Sequence, residues 1–332
     1  MDLDTGDRIR LRAGLISLVV AVVLLAVKYQ AYRMTRSTAI LSDALESIVN
    51  VVAAGFAVGA LLFGGRPADR NHPYGHGKIE FLSAAFEGGL IFFAAFLILY
   101  EVAQSLIEGV ELRDLDRGLL LVLGAGLVNL GLGLYLVRTG RAHHSIALVA
   151  DGRHVLSDFW TSLGIVVGLG LVYLTGQSWL DPVVAALVAV QLMWTGLRLI
   201  RHAGGALLDE EDVGLLARLV EALRLQLGQG AIRVHHLRAI RSGRFHHIDV
   251  DLVVPEFWSV ELAHELADRL AEKVLAEVGI EGELIVHTDP CHRAYCAMCD
   301  LADCPVRREP FRGRPPLTLQ EACAQPRPSP AS

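Results

Sequence analysis

Two residue pairs, each four apart, carry the chemistry of this sequence: Glu46 with Asn50, and His154 with Asp158. The first lies in Leu-Ser-Asp-Ala-Leu-Glu-Ser-Ile-Val-Asn and the second in Ala-Asp-Gly-Arg-His-Val-Leu-Ser-Asp. Four residues is about one helical turn, so each pair points along one helix face. Two such faces opposed would set an imidazole, two carboxylates and an amide oxygen around one point. That ligand set suits zinc or a similar divalent ion. With His154 neutral the four sum to a charge of −2, which a divalent cation cancels. Without metal the same groups take up protons, and the exchange of one for the other is a mechanism of antiport. The plainer alternative is pairing across helices, an Asp with Arg153 or with a His; two matched pairs weigh against it. Asp43 and Asp151 each stand three residues before one of the four. They are read as support, through hydrogen bonds to ligands or helix-end electrostatics.

The elements that hold these residues are apolar. The chain has 332 residues, 53% hydrophobic and 20% charged, with a net charge of −6. This excludes a disordered chain, a nucleic-acid binder driven by bulk basicity and a disulfide-framed secreted domain. Charge-free runs fill the first two-thirds, and Gly118–Val137 and Phe159–Leu180 reach the roughly 20 residues a bilayer crossing needs. Shorter runs reach it by absorbing polar residues, among them Asp43, Glu46 and Glu87. The pattern predicts six transmembrane helices, near 13–33, 37–63, 81–108, 117–138, 144–175 and 179–201. A charged group at that depth costs about 2.5–3.5 kcal/mol on insertion scales, so each one needs a reason.

An even number of spans puts both termini on one side. That side holds Arg8, Arg10, Arg12, Arg66, Arg70, Lys78, Arg138, Arg141, Arg198 and Arg201; the other holds Lys28, Arg33, Arg36, Arg113 and Arg117. Basic residues favour the cytoplasm, so both termini are expected there, in a bacterial inner membrane. The first apolar run lacks a cleavage pattern and reads as a span rather than a signal peptide.

Residues 1–206 are thus a transmembrane domain, and from 207 the texture changes. Asp209–Leu227 has helical spacing, Ala231–Ile240 reads as a strand, Ser242-Gly243 as a turn and Phe245–Val254 as a second strand. Ser259–Val278 is an amphipathic helix and Glu283–His287 a last strand. The order αββαβ predicts a cytosolic α+β domain over 207–290, ferredoxin-like or metallochaperone-like, with helices on one sheet face. It carries 16 acids and 8 basic residues, a net of −8. Such a domain is repelled by anionic lipid unless it binds cations. Residues 291–332 are Cys-rich, then Pro-rich, and the part after Arg307 is expected to be disordered.

Together these features resemble the cation diffusion facilitator family of divalent-metal/proton antiporters. The resemblance covers about residues 10–290. It rests on the six spans, Ser-Asp-Ala-Leu-Glu-Ser, His154-x-x-x-Asp158, the loop Asp69-Arg70-Asn71-His72-Pro73-Tyr74-Gly75-His76-Gly77-Lys78, and the αββαβ domain ending in His287-Thr288-Asp289-Pro290. It implies a homodimer in the lipid bilayer that exports metal from the cytosol in exchange for protons. The transport site it implies is Glu46, Asn50, His154 and Asp158. The Glu/Asn pair departs from the family's usual Asp or His followed by Asp. Iron(II), cobalt(II), manganese(II) and cadmium(II) therefore stay open beside zinc, the first choice as substrate and regulator. The resemblance implies a loop site at Asp69, His72 and His76, against a purely structural loop set by Gly75 and Gly77. It also implies a binuclear cytosolic site at His235, Asp251, His264, His287 and Asp289, where Asp251 replaces a His. His236, His246 and His247 are left unassigned.

Four cysteines cluster in Cys291-His292-x-x-x-Cys296-x-x-Cys299-x-x-x-x-Cys304. In the cytosol they should be reduced, and the spacing reads as a soft-metal site, zinc or iron–sulfur. Cys323 stands apart. No Gly-x-x-x-x-Gly-Lys-Ser/Thr nucleotide loop occurs, which argues against ATP drive. No nucleic-acid partner and no enzyme activity are expected. Weighed beside transport are a metal-responsive membrane sensor and an intramembrane metal-dependent hydrolase; the latter lacks His-Glu-x-x-His and an open metal position.

Overall fold

The computed structural model describes residues 5–109, 114–143 and 145–325. Arg113 and the Pro-rich end, residues 326–332, lie outside them. The chain forms two compact units, Met1–Leu208 and Asp209–Ser332.

The first unit consists of six long helices: α1 (Thr5–Thr35), α2 (Thr38–Gly64), α3 (Ile79–Glu108), α4 (Leu115–Ala142), α5 (Ile146–Thr175) and α6 (Leu180–Leu207). Each is long and apolar enough to cross a bilayer, so the six predicted spans are present, each somewhat longer than the apolar run that announced it. Large apolar side chains such as Leu120, Trp160, Leu187 and Trp194 stay exposed on the outside of the bundle. In water that surface would be unstable; against hydrocarbon it is the required one.

Polar groups fix the turns. Arg36, with φ 55°, makes a left-handed turn between α1 and α2. Ser37 caps α2 by accepting from the Ile40 amide at 3.1 Å. Asp181, fully buried at the start of α6, accepts from the Thr38 amide at 2.6 Å and the Ser37 hydroxyl at 2.5 Å. It thereby satisfies the orphan amides at the first turn of α2.

Close backbone approach fixes the helix pairs. A Cβ at Gly88 would sit 2.9 Å from the Gly196 carbonyl oxygen, so α3 and α6 touch backbone to backbone. A Cβ at Gly152 would sit 2.7 Å from the Val137 amide nitrogen, so α5 is pressed equally hard on α4. Small residues at such crossings give membrane helices their packing energy, because lipid supplies no hydrophobic drive between them.

The second unit follows the predicted αββαβ order: α7 (Val213–Gln226), β1 (Arg233–Ser242), β2 (Phe245–Val254), α8 (Val260–Val278) and β3 (Gly282–Pro290). The helix expected from 209 starts at 213. Asp209 takes φ 59°, and Asp212 caps the helix by accepting from the Leu215 amide at 3.0 Å. The sheet order is β1-β2-β3, with β1 and β2 antiparallel and β2 and β3 parallel. Leu219 and Leu223 of α7, Leu270 and Val274 of α8, and Ile248, Val250 and Leu252 of β2 share one core. The alternate residues of β2, Asp249 and Asp251, therefore stand on the face away from the helices.

The expectation of a disordered tail after Arg307 is corrected for the residues up to 325. A 3-10 turn (Arg293–Met298) and a short helix, α9 (Leu319–Cys323), follow β3. Leu317 and Ala322 enter the core, and Arg233 donates to Glu321 Oε2 at 2.6 Å. Composition misled because a few apolar anchors hold a proline-rich strap that has no periodicity of its own.

Candidate functional site

Helices α2 and α5 bring the four intramembrane residues together. Asn50 uses both ends of its amide: Nδ2 donates to Asp158 Oδ2, and Oδ1 accepts from His154 Nε2 at 2.7 Å. With Nε2 carrying that proton, neutral His154 presents the lone pair of Nδ1. It lies 3.8 Å from Asp158 Oδ1, a fully buried oxygen without a hydrogen-bond partner among the described residues. At 3.8 Å the two atoms are too far apart for a direct hydrogen bond and near enough for one cation to bridge them. Glu46 lies beyond Asp158 and is buried; its Oε2 accepts from Thr161 Oγ1 at 3.4 Å, and Oε1 has no hydrogen-bond partner among the described residues. Glu46, His154 and Asp158 do not all bring a ligand atom within 4.8 Å of one another. The site is therefore drawn open, with Asp158 and Asn50 at its centre.

The surrounding acids have separate partners. Asp43 is fully buried and accepts from Lys28 Nζ at 2.8 Å and from Ser162 at 3.0 Å. This corrects the sequence count, which set Lys28 among the basic residues outside the membrane: its side chain is fully buried, in the interior of the bundle. The remaining balance of ten against four still favours the same orientation. Asp151 accepts from Ser17 at 2.8 Å. Ser17, Asn50, Asn129 and Asp151 line a small polar cavity between α1, α2, α4 and α5. Sequence reasoning missed Lys28, Asp181 and Glu87 as partners. Glu87, on α3, is buried with Oε1 3.9 Å from His154 Nε2. A single charged residue in an apolar run was the available signal, but it does not say which way the side chain points.

The loop residues Asp69, His72 and His76 converge, each offering a ligand atom within 4.8 Å of the others. Asp69 Oδ1 accepts from the amides of Asn71 and His72, at 2.8 and 2.7 Å. The His72 amide above all holds its carboxyl below the usual carboxylate range. Oδ2 faces His76 Nε2 at 3.4 Å, and His76 is itself buried against Phe63.

In the second unit, register builds a third cluster. His235 pairs across the ladder with Asp251, and Asp251 with His287, so all three share a face with Asp289 two residues on. His235 Nε2 lies 3.2 Å from Asp289 Oδ2 and 3.6 Å from Asp251 Oδ2. His287 reaches Asp289 Oδ1 at 3.2 Å. His264 is not brought to this cluster; it is exposed on α8, 3.4 Å from Asp268. His236 joins instead. A bulge between His235 and Arg238, with φ 55° at His236, turns two successive side chains to one face, and His236 Nδ1 lies 3.1 Å from Asp251 Oδ2.

The tail cysteines gather loosely, with Cys291 and Cys299 in one apolar cluster. No three of them bring sulfurs within 4.8 Å among the described residues. Cys291 and Cys299 pack with Ile232 and Val253, and burial pushes the Cys291 thiol up. Arg307 holds the turn by donating to the carbonyls of Cys296, Cys299 and Leu301.

A sequence profile of the cation efflux transmembrane domain matches residues 14–208, and one of the cation efflux protein cytoplasmic domain matches residues 215–291. The chain is 34% identical over 277 residues to an uncharacterised transporter of Synechocystis, covering 83% of this chain and 89% of that one. It is 29% identical to the metal cation efflux system protein CzcD of Cupriavidus metallidurans, over 80% of this chain and 82% of that one. To the manganese efflux system protein MneP of Bacillus subtilis it is 24% identical, over 86% and 97%. Six apolar spans and both matched domains lead to one conclusion: the chain belongs to the cation diffusion facilitator family, as an integral membrane cation efflux transporter and not an enzyme.

Proposed function

We propose that this transporter exports a divalent metal ion, zinc first among the candidates, from the cytosol in exchange for protons. The carrying observation is the buried, unpartnered Asp158 Oδ1 lying 3.8 Å from His154 Nδ1 among the described residues. A metal ion can bridge the two atoms and a proton can occupy either of them; the two occupants exclude each other. Glu46 and Asn50 complete the ligand set, and closing it needs Glu46 to move toward His154. Imidazole with carboxylates suits zinc, while Asn50 adds a hard oxygen that keeps manganese(II), iron(II), cobalt(II) and cadmium(II) in play. Relatives named for metal cation and manganese efflux support that range.

The reading extends to the rest of the chain. Asp69, His72 and His76 form a weaker loop site. The cytosolic cluster of His235, Asp251, His287 and Asp289 regulates transport by binding metal, with His264 contributed at a homodimer interface. Both termini face the cytosol of a bacterial inner membrane.

The test is flux in proteoliposomes loaded with a pH-sensitive dye. An inward-acidic or zinc gradient should drive zinc and protons in opposite directions, with competition among the five metals setting the order. A wild-type protein that binds metal but moves neither metal nor protons would instead be a sensor.

A further inference from the structure

Glu87 has no place in the ligand set above, yet it is buried in the bundle, and the ion pair the structure gives it is His154 Nε2 at 3.9 Å. Its direction is fixed by its neighbour. Gly88 lies against the backbone of α6, and Glu87, about 100° round the helix from it, reaches His154 on α5. Its depth is fixed by helix geometry. Glu87 stands eight residues into α3 and His154 eight residues into α5, each about 12 Å from a helix start. Both starts follow connections on the same side of the bundle, from α2 to α3 and from α4 to α5, so the two residues are level. Asp158 lies one turn deeper.

The imidazole therefore stands between two carboxylates and meets them with different nitrogens: Nε2 toward Glu87 and Nδ1 toward Asp158. On the Nε2 side the Asn50 carbonyl oxygen is also present, at 2.7 Å. A carboxylate oxygen, an amide oxygen and an imidazole nitrogen make a ligand triad for a divalent cation. Asn50 is neutral, so Glu87 supplies on that side the anionic charge the amide cannot.

We propose that Glu87 is a metal ligand of the transport pathway: with Asn50 Oδ1, and with His154 Nε2 in the tautomer that carries its proton on Nδ1, it forms an outer subsite that takes the ion first. The imidazole then passes it to Asp158 and Glu46, one turn deeper, as the ring proton leaves Nδ1 and Nε2 takes one up to donate to Asn50 again. Metal dehydration is thereby divided between two stations, each with a carboxylate and an amide or imidazole donor. This rests on the transport reading above and adds to it a residue and a second station.

Zinc uptake into proteoliposomes tests it, comparing wild type, Glu87→Gln, and Glu87→Gln combined with Asn50→Asp. Glu87→Gln should raise KM for zinc by about 10-fold or more, with the maximal rate within about 3-fold. Asn50→Asp should bring KM back toward wild type, because it restores the charge to the same triad. A merely structural glutamate would lower the maximal rate or the melting temperature and would not be rescued from Asn50. Should Glu87→Gln not give folded protein, Glu87→Asp carries the test, with a raised KM expected from the shortened ligand. An unchanged KM in either variant, or a raised KM that Asn50→Asp leaves unrelieved, overturns the proposal while leaving transport itself intact. A wild type that moves no metal overturns the transport reading and this inference together.

Discussion

His154 touches three helices' worth of chemistry from one ring: Asn50 on α2, Glu87 on α3 and Asp158 on its own helix. His154→Ala and Asp158→Ala should each reduce zinc flux to the level of empty liposomes while the protein still elutes as a folded species in detergent. Flux at the wild-type rate in either variant would remove the site. Lys28 makes a different kind of contribution. It neutralises Asp43 where neither can reach water, and removing one member of such a pair leaves a buried charge, at a cost of about 3–5 kcal/mol. Lys28→Met should therefore lower the melting temperature sharply. Lys28→Met with Asp43→Asn should recover most of the loss, since the amide oxygen can still accept from Ser162. Equal melting temperatures for the single and double variants would show that the pair is not coupled.

At the scale of elements, the position of α5 depends on Gly152, two residues before His154. Gly152→Ala would place its Cβ 2.7 Å from the Val137 amide nitrogen and 2.8 Å from Leu136 Cβ. Overpacking of this kind costs about 1–3 kcal/mol. It should also shift His154 and Asp158 against α2, lowering both melting temperature and flux; a variant with wild-type flux would show that α4 yields. The tail strap is held by α9. The Thr318 amide and hydroxyl, then Arg233, keep the Glu321 carboxyl below its ordinary range. A carboxyl depressed by folding stabilises above its unfolded value, and that contribution is lost as pH falls through the folded one. Hydrogen exchange in residues 317–324, corrected for intrinsic rates, should therefore rise once pH falls below about 4, and Glu321→Gln should raise it already at neutral pH. Protection unaffected by either change would assign the strap to Leu317 and Ala322 alone.

For the molecule as a whole, the cysteines report on the folded state of the second unit. Cys291, Cys296 and Cys299 are buried, whereas Cys304 and Cys323 are partly accessible. Burial raises the Cys323 thiol as well, which leaves less of the reactive thiolate. Alkylation of the intact chain should modify Cys304 first and the three buried thiols only on unfolding. Equal rates at all five would contradict the packing of the tail. The acidic cytosolic domain, with a net of −8 over residues 207–290, favours cations over anionic lipid, consistent with a carboxylate–imidazole cluster on its open sheet face.

The sequence by itself determined the spans, the αββαβ order and the two i,i+4 pairs. Each is a local property: hydrocarbon-length apolar runs, alternation at period 2 or 3.6, and one turn of one helix. It also marked the loop triad, whose members lie within eight residues. Only the tertiary structure decided which buried charges meet. Lys28 finds Asp43, Glu87 finds His154 and Asp181 finds the start of α2, because helix rotation, set by crossings such as Gly88 on Gly196, chooses the facing side chains. It decided as well that His236 rather than His264 stands beside Asp251. A bulge of one residue turns a strand side chain to the other face, and an amphipathic helix exposes its polar stripe to solvent. The tail, finally, is ordered through long-range contacts of Leu317, Ala322 and Glu321, which no periodicity announces.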